Sequence, residues 1–379
     1  MAIRRQATWD GDRRSNIAPV GGMAYVRSIK FDAGVGSALL AGLLFGASTP
    51  LAKRLIQDID PWMLAGLLYL GSGIGLGAYK ALRHALSAGR AGEASLRRAD
   101  RWWLAAAIMA GGVIAPVLMM YGLRRTAGSS ASLLLNLEGV FTTLTAWFVF
   151  KENFDRRIAL GVLAITAGAV LLSVGGSAEW GNAIGPIAIA AACLAWALDN
   201  NLTRKVALTD VTFIAMLKGL VAGSVNISIA AALGASWPSR SAIFDAGAVG
   251  LAGYGVSLVL FVVALRYLGT ARTGAYFSMA PFAGALIAVV FFHEPLSIQL
   301  IGAGVLMGAG LWLHLSERHD HEHIHARATH DHRHVHDIHH QHHHDAKDDG
   351  AEPHSHRHVH EPLRHRHPHY PDEHHRHVH

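Results

Sequence analysis

The sequence predicts an all-α integral membrane protein: ten transmembrane helices in two inverted five-helix repeats, plus a disordered tail. Three observations carry that prediction. Residues 33–316 of the 379 are almost entirely long apolar runs, of the roughly 20-residue length that crosses a ~30 Å hydrocarbon layer. The region also repeats itself at a constant offset of 142: Leu123/Leu265, Arg124/Arg266, Leu144/Leu286, Ala146/Ala288, Phe150/Phe292, Glu152/Glu294, Gly168/Gly310 and Leu171/Leu313 all match. Beyond residue 317 the apolar runs stop and histidine takes over.

The elements follow in chain order. Residues 1–32 are polar and basic, with Arg4, Arg5, Arg13, Arg14, Arg27 and Lys30. No short apolar region with a small-residue cleavage site precedes the first long run, so no cleaved signal peptide is expected. Ten spans then fall at about 34–52, 61–79, 103–123, 128–150, 158–175, 183–203, 211–233, 245–267, 272–292 and 297–315. They divide into repeats at 33–175 and 183–316, with the tail at 317–379. Five is odd, so the second repeat enters the membrane from the opposite side, and a site is expected near the midplane between the halves. With the N-terminus placed in the cytoplasm, inner segments before residue 317 hold 19 Lys/Arg and outer loops five. That bias predicts a multi-pass protein of a bacterial-type inner (plasma) membrane with both termini cytoplasmic.

Small residues crowd the spans, as in Ala110-Gly111-Gly112 and Gly302-Ala303-Gly304. They suit close helix contacts in lipid, where no hydrophobic drive separates protein from solvent. Pro50, Pro116 and Pro281 interrupt three spans. Each frees backbone groups that need protein or a water-filled cavity to satisfy them, or else marks a simple kink. The single cysteine, Cys193, excludes an internal disulfide and a Cys-rich metal site, leaving a helix contact as its role.

Several stretches carry a resemblance: Phe45-Gly-Ala-Ser-Thr-Pro-Leu-Ala-Lys53, Trp196-Ala-Leu-Asp-Asn-Asn-Leu-Thr-Arg-Lys205, Phe150-Lys-Glu152, Phe292-His-Glu-Pro295 and Met279-Ala-Pro-Phe282. With them the chain resembles the EamA family of the drug/metabolite transporter superfamily over roughly residues 33–316. The resemblance implies transport of a small organic solute, often outward, without naming the cargo. One departure stands out. Glu138-Gly139 occupies the place of Ala280-Pro281 in the other repeat, where the family pattern is apolar, so the resemblance assigns Glu138 no role.

A carboxylate at the bilayer centre costs on the order of 2.5–3.5 kcal/mol. Glu138 is therefore expected to face a cavity and hold a cation or proton that couples transport, or to hydrogen-bond a neighbouring helix. Lys218, inside span seven, is expected to pair with Glu138, hold an anionic solute, or snorkel. Asn136, Asp199, Asn200 and Tyr276 complete the candidate substrate and coupling cavity. For Asp199, Asn200 and Asn201 a headgroup position is the competing reading, and for Tyr276 aromatic packing. Glu152 and Glu294 end their helices at opposite faces and are expected to cap the next span. Trp102, Trp103, Trp147 and Trp312 suit interface belts or helix packing.

No nucleophile–base pair, phosphate-cradling loop or nucleotide motif is visible, so catalysis and ATP-driven transport are not expected and no cofactor is required. Basic charge without a nucleic-acid-binding pattern argues against nucleic-acid partners. The oligomeric state is open.

The tail holds 24 of the 27 histidines, with His-Arg-His-Val-His at 332–336, 356–360 and 375–379. Neutral imidazoles at alternate positions suit zinc, nickel, cobalt and copper(II). The expected ligands for Ni, Zn or Co are His332, His334, His336, His356, His358, His360, His375, His377 and His379. Such a polar segment cannot bury a core and is expected to be disordered without a ligand. The leading function is a secondary transporter exporting a small metabolite or drug-like solute by alternating access, with a metal-binding tail. The alternatives are divalent-metal efflux, with the tail collecting the cargo, and a non-transporting membrane metal sensor.

Overall fold

A computed structural model describes residues 21–86, 100–150, 156–174, 183–204, 210–268, 270–315, 320–325, 328–334, 354–360 and 363–368. Glu152, His336, His375, His377 and His379 lie outside the described residues, as does the Trp147 side chain.

The first repeat comprises α1 (Gly21–Leu55), α2 (Pro61–Leu86), α3 (Arg101–Ala107), a π-helical segment (Ile108–Ile114), α4 (Ala115–Arg125), α5 (Gly128–Leu134), α6 (Asn136–Phe150) and α7 (Arg156–Val174). The second comprises α8 (Ile184–Arg204), α9 (Val211–Ala232), α10 (Arg240–Gly250), a π-helical segment (Leu251–Val256), α11 (Ser257–Leu268), α12 (Thr270–Phe277), α13 (Ala280–Phe292) and α14 (Ile298–Leu315). Read through their breaks, these are the ten traverses that the apolar runs predict. Among the described residues six helices are long and apolar enough to cross a membrane; Ala280–Phe292 and Ile298–Leu313 are shorter apolar helices.

The repeats embrace rather than sit apart. The most extensive contacts between them come in pairs related by exchanging the repeats: α1 on α11 and α8 on α4, α1 on α13 and α8 on α6, while α2 meets α9 and α7 meets α14. Glycine makes the α2–α9 crossing possible. A Cβ on Gly73 would stand 2.5 Å from the Leu220 nitrogen, and one on Gly219 2.6 Å from the Gly73 nitrogen. Backbones at this distance gain dispersion contacts that lipid chains cannot match. Met63, Leu64, Met120, Leu123, Ile189 and Met307 fill the interior. Large apolar side chains such as Phe148, Leu163, Phe244 and Trp312 cover the outside, where a hydrocarbon solvent accepts them.

Two irregularities recur at matching places. The fourth traverse breaks at Leu135, between α5 and α6, and its partner breaks at Ser278–Met279, between α12 and α13. The sequence alone reads both as continuous spans. At the first break Leu135 bonds back to Ser132 O (3.2 Å), and the Asn136 amide donates to Leu133 O (2.8 Å). The third traverses carry their π segments at equivalent positions. In the first repeat Pro116 supplies the cause, since it has no N–H to offer the carbonyls one turn before it. Gly111 O instead accepts from Tyr69 Oη (2.6 Å) and Trp196 Nε1 (3.0 Å), and Gly112 O from Asn226 Nδ2 (3.0 Å).

The described residues of the tail form β1 (Asp320–His325), β2 (Ala328–His334), β3 (His354–His360) and β4 (Leu363–Pro368), with β1 antiparallel to β4 and β2 to β3. Residues of alternating type have the period of a strand.

Candidate functional site

The break between α5 and α6 positions the unusual acid. Glu138 falls in the first turn of α6, where the positive end of the helix dipole favours a carboxylate. Its Oε1 accepts a hydrogen bond from Asn200 Nδ2 at 2.7 Å, tying α6 of the first repeat to α8 of the second. One residue away on α8, Asp199 is only 5% exposed. Lys218 of α9 donates to both of its carboxylate oxygens, at 2.7 and 2.6 Å. Thr203, one turn along α8, donates to Asp199 Oδ1 at 2.9 Å. Glu138 lies within electrostatic range of both Asp199 and Lys218. The cluster thus holds two acidic side chains and one lysine, with amide and hydroxyl partners; Asp199 is buried, Glu138 half-buried and Asn200 exposed.

Lys218 therefore takes Asp199 as its direct partner, where the sequence reading leaves open pairing with Glu138, holding an anionic solute or snorkelling. Spacing along the chain does not reveal this, because α8 and α9 are brought together by packing on the same π segment of the other repeat, Ile108–Ile114. Asp199 is buried. Asn136 points its amide to Leu133 O and to the Met307 sulfur at 3.9 Å, bracing the helix break against α14. Tyr276 packs beside Ala38, Ala264 and Val35, in a cluster separate from the main core. Of the six candidates, Glu138, Asn200, Asp199 and Lys218 come together; Asn136 supports them, and Tyr276 stands apart.

The cluster has an uncharged twin. Gly111 faces Asp199 so closely that a Cβ there would lie 1.9 Å from Oδ2. Gly253, equivalent to Gly111 in the other repeat, faces Ser48, and a Cβ there would lie 2.5 Å from the serine Cβ. Likewise Glu138 corresponds to Ala280, whose carbonyl lies 2.3 Å from where a Cβ on Gly46 would sit. One niche is polar and ionised; its counterpart is small and neutral. Aromatic rings lead between the two: Tyr69 packs on Tyr254 (centroids 5.6 Å), Tyr254 on Phe45 (6.0 Å) and Phe45 on Phe277 (5.4 Å). Of these residues, sequence reasoning missed Tyr69, Gly111 and Asn226. The one signal for them is Pro116, which announces carbonyls in need of donors.

Near the end of α1 lies a second meeting of the repeats. Lys53 donates to Leu123 O (2.6 Å), at the end of α4, while Glu294 accepts from the Gly128 and Ser129 amides (2.8 Å each), at the start of α5. Glu294 does cap a helix, but one in the other repeat; Ser297 caps α14 instead, through Leu300 N at 3.1 Å. An open pocket of about 640 Å³ adjoins it, lined by Lys53, Arg54, Gln57, Asp58, Phe292 and Glu294.

The pattern defining the EamA-like transporter family matches twice, over residues 32–174 and 183–316. An uncharacterized transporter of Methanothermobacter thermautotrophicus (strain Delta H) is 31% identical over 307 residues, spanning 76% of this chain and 87% of the relative. An uncharacterized transporter of Bacillus subtilis (strain 168), YyaM, is 23% identical over 212 residues, 51% of this chain and 68% of the relative. A solved crystal structure shares the fold with a TM-score of 0.56 at 19% identity, covering 74% of this chain and 95% of the other. The paired matches coincide with the two intertwined halves and their repeated helix breaks, and the chain belongs to the EamA-like transporter family as a multi-pass membrane protein with two such units.

Proposed function

We propose that the protein is a secondary transporter that exports a small organic solute by alternating access, coupled through Glu138. The carrying observation is the Glu138–Asn200 hydrogen bond, which joins the repeats beside a broken helix. Broken helices that meet between inverted repeats are where transporters of this kind bind solute and coupling ions. A carboxylate shared between the halves responds directly to their relative position. Binding a proton or cation there changes the energy of the contact, which is the differential interaction that a conformational shift requires. Asp199 and Lys218 form the fixed polar floor, already neutralising one another. The protein sits in a bacterial-type inner membrane, with both termini in the cytoplasm.

The test is solute flux in proteoliposomes loaded with a metabolite and drug panel, across a range of pH, for the native chain and Glu138→Gln. The expected result is flux that depends on a proton or cation gradient in the native chain and loses that dependence in the variant. Unchanged flux and unchanged pH dependence in Glu138→Gln would sink the coupling role. No flux of any solute favours a membrane metal sensor.

The tail supports a second element of this reading. Its 24 histidines bind divalent nickel, zinc or cobalt on the cytoplasmic side and report or buffer metal. Metal as cargo is the weaker alternative. Among the described residues no group of three His, Cys, Asp or Glu gathers, and Asp199 is already held by Lys218. Cellular nickel, cobalt and zinc content in an exporter-deficient strain separates the two. A fall that Glu138→Gln abolishes makes metal the cargo.

A further inference from the structure

The pocket of about 640 Å³ lies where three helices reach one face of the bundle: α1 ends at Leu55, α10 begins at Arg240 and α13 ends at Phe292. The first of these belongs to one repeat and the other two to its partner, so the pocket is shared between the halves. Its wall is mixed. Ile59, Ala242 and the Phe292 ring are apolar, while Lys53, Arg54, Asp58 and Glu294 bring two charges of each sign. Two of those four are committed. Lys53 donates to Leu123 O, and Glu294 accepts from the Gly128 and Ser129 amides. A left-handed turn at His293 (φ 54°) ends α13 between Phe292 and Glu294, a conformation uncommon for a residue with a side chain.

Arg54 and Asp58 are left. The guanidinium lies over the Phe292 ring, 5.3 Å from its centroid. Among the described residues neither Arg54 nor Asp58 makes an ion pair, although they stand four positions apart. In a continuous helix that spacing would bring them together, but α1 stops at Leu55 and Asp58 lies in the turn beyond it. The pocket thus offers one free cation and one free anion beside an aromatic ring. Its surroundings fit a lipid. Trp237, exposed three residues ahead of α10, is of the type that settles at headgroup level. Phe244 and Phe291, one step deeper on α10 and α13, are exposed as well, a surface suited to acyl chains.

We propose that this pocket binds the headgroup of a phospholipid carrying a primary ammonium, with its phosphate on Arg54 and its ammonium on Asp58. Guanidinium pairs with phosphate oxygens through two parallel N–H bonds. A carboxylate accepts N–H bonds from a primary ammonium, which a trimethylated amine cannot offer and a glycerol headgroup replaces with neutral hydroxyls. Because the pocket is built from both repeats, a bound headgroup interacts differently with each of their arrangements and so biases the balance between them. Such a lipid is not the cargo, and its binding does not depend on the role of Glu138.

Native mass spectrometry of the full-length protein tests the site. The protein is delipidated in detergent and titrated with phosphatidylethanolamine, phosphatidylglycerol or phosphatidylcholine of matched chains. Phosphatidylethanolamine is expected to bind about tenfold tighter than the other two, the worth of one charge-assisted contact. Asp58→Asn should erase that preference, and Arg54→Gln should weaken all three lipids, both with a melting temperature near the native one. Arg83→Gln, exposed near the far end of α2, should change nothing. Equal affinity for the three lipids, or a preference that survives Asp58→Asn, overturns the assignment. So does a loss in Arg83→Gln equal to that in Arg54→Gln, which would mean diffuse attraction to basic charge. Displacement of the lipid by an equal concentration of free phosphoethanolamine would place the ligand in solution and overturn the membrane source.

Discussion

Glu294 caps α5 from the opposite repeat, taking the Gly128 amide at 2.8 Å across 166 residues of sequence. The Ser129 amide completes the grip, while Lys53 holds the carbonyl end of α4 just before it. Negative charge thus meets a helix start and positive charge a helix end, each the favourable sense for the helix dipole. Glu294→Ala is expected to destabilise the protein by about 3 kcal/mol, since it leaves two amides without an anionic acceptor. Glu294→Gln, which keeps an acceptor oxygen, should lose roughly half of that. Thermal unfolding in detergent, followed by circular dichroism, reads both.

The Asp199–Lys218 pair predicts strong non-additivity. Removing one partner leaves a lone charge in an apolar bundle and should cost about 3–5 kcal/mol. Asp199→Asn and Lys218→Met are therefore each expected to lower the melting temperature sharply, and the double variant to recover much of the loss. Simple addition of the two effects in a double-mutant cycle would show that the pair is not coupled.

Gly111→Ala is expected to abolish or severely reduce flux, because its Cβ would occupy the space of the Asp199 carboxylate. Gly139→Ala is the matched control in the same repeat, since nothing lies within 4 Å of its would-be Cβ. Equal transport by the two variants would mean that the carboxylate can move aside.

Asn226→Leu removes the donor to Gly112 O. The side chain is fully buried, so the bare carbonyl should cost about 1–3 kcal/mol. Adding Pro116→Ala supplies an N–H one turn on and is expected to restore part of the stability. A thermal shift for the single and double variants decides it.

Much of this molecule was legible before any coordinates. Apolar length and the offset of 142 foretold ten traverses in two halves, because hydrocarbon thickness sets a span and repetition survives in sequence. The expense of a charge in lipid also picked out Glu138, Lys218 and Asp199. Their partners were not legible. Lys218 finds Asp199 where α8 and α9 both meet the π segment Ile108–Ile114, and no periodicity encodes that choice. The break at Leu135 lacks a proline, so only the folded chain shows that Asn136 satisfies the freed backbone there. Histidine alternation suggested chelation but not which runs would face each other, since register belongs to pairs of strands.

The neutral niche at Ser48 and Gly253 gives the charged one its wider meaning. A carrier with two identical halves would have two end states of equal energy, because exchanging the halves turns one state into the other. Here the exchange would move Asp199 to the place of Ser48 and Glu138 to that of Ala280. The two states of such a carrier are then unequal before any gradient acts. Under the proposed alternating access, one orientation is the ground state of the empty protein, a bias written into its covalent structure.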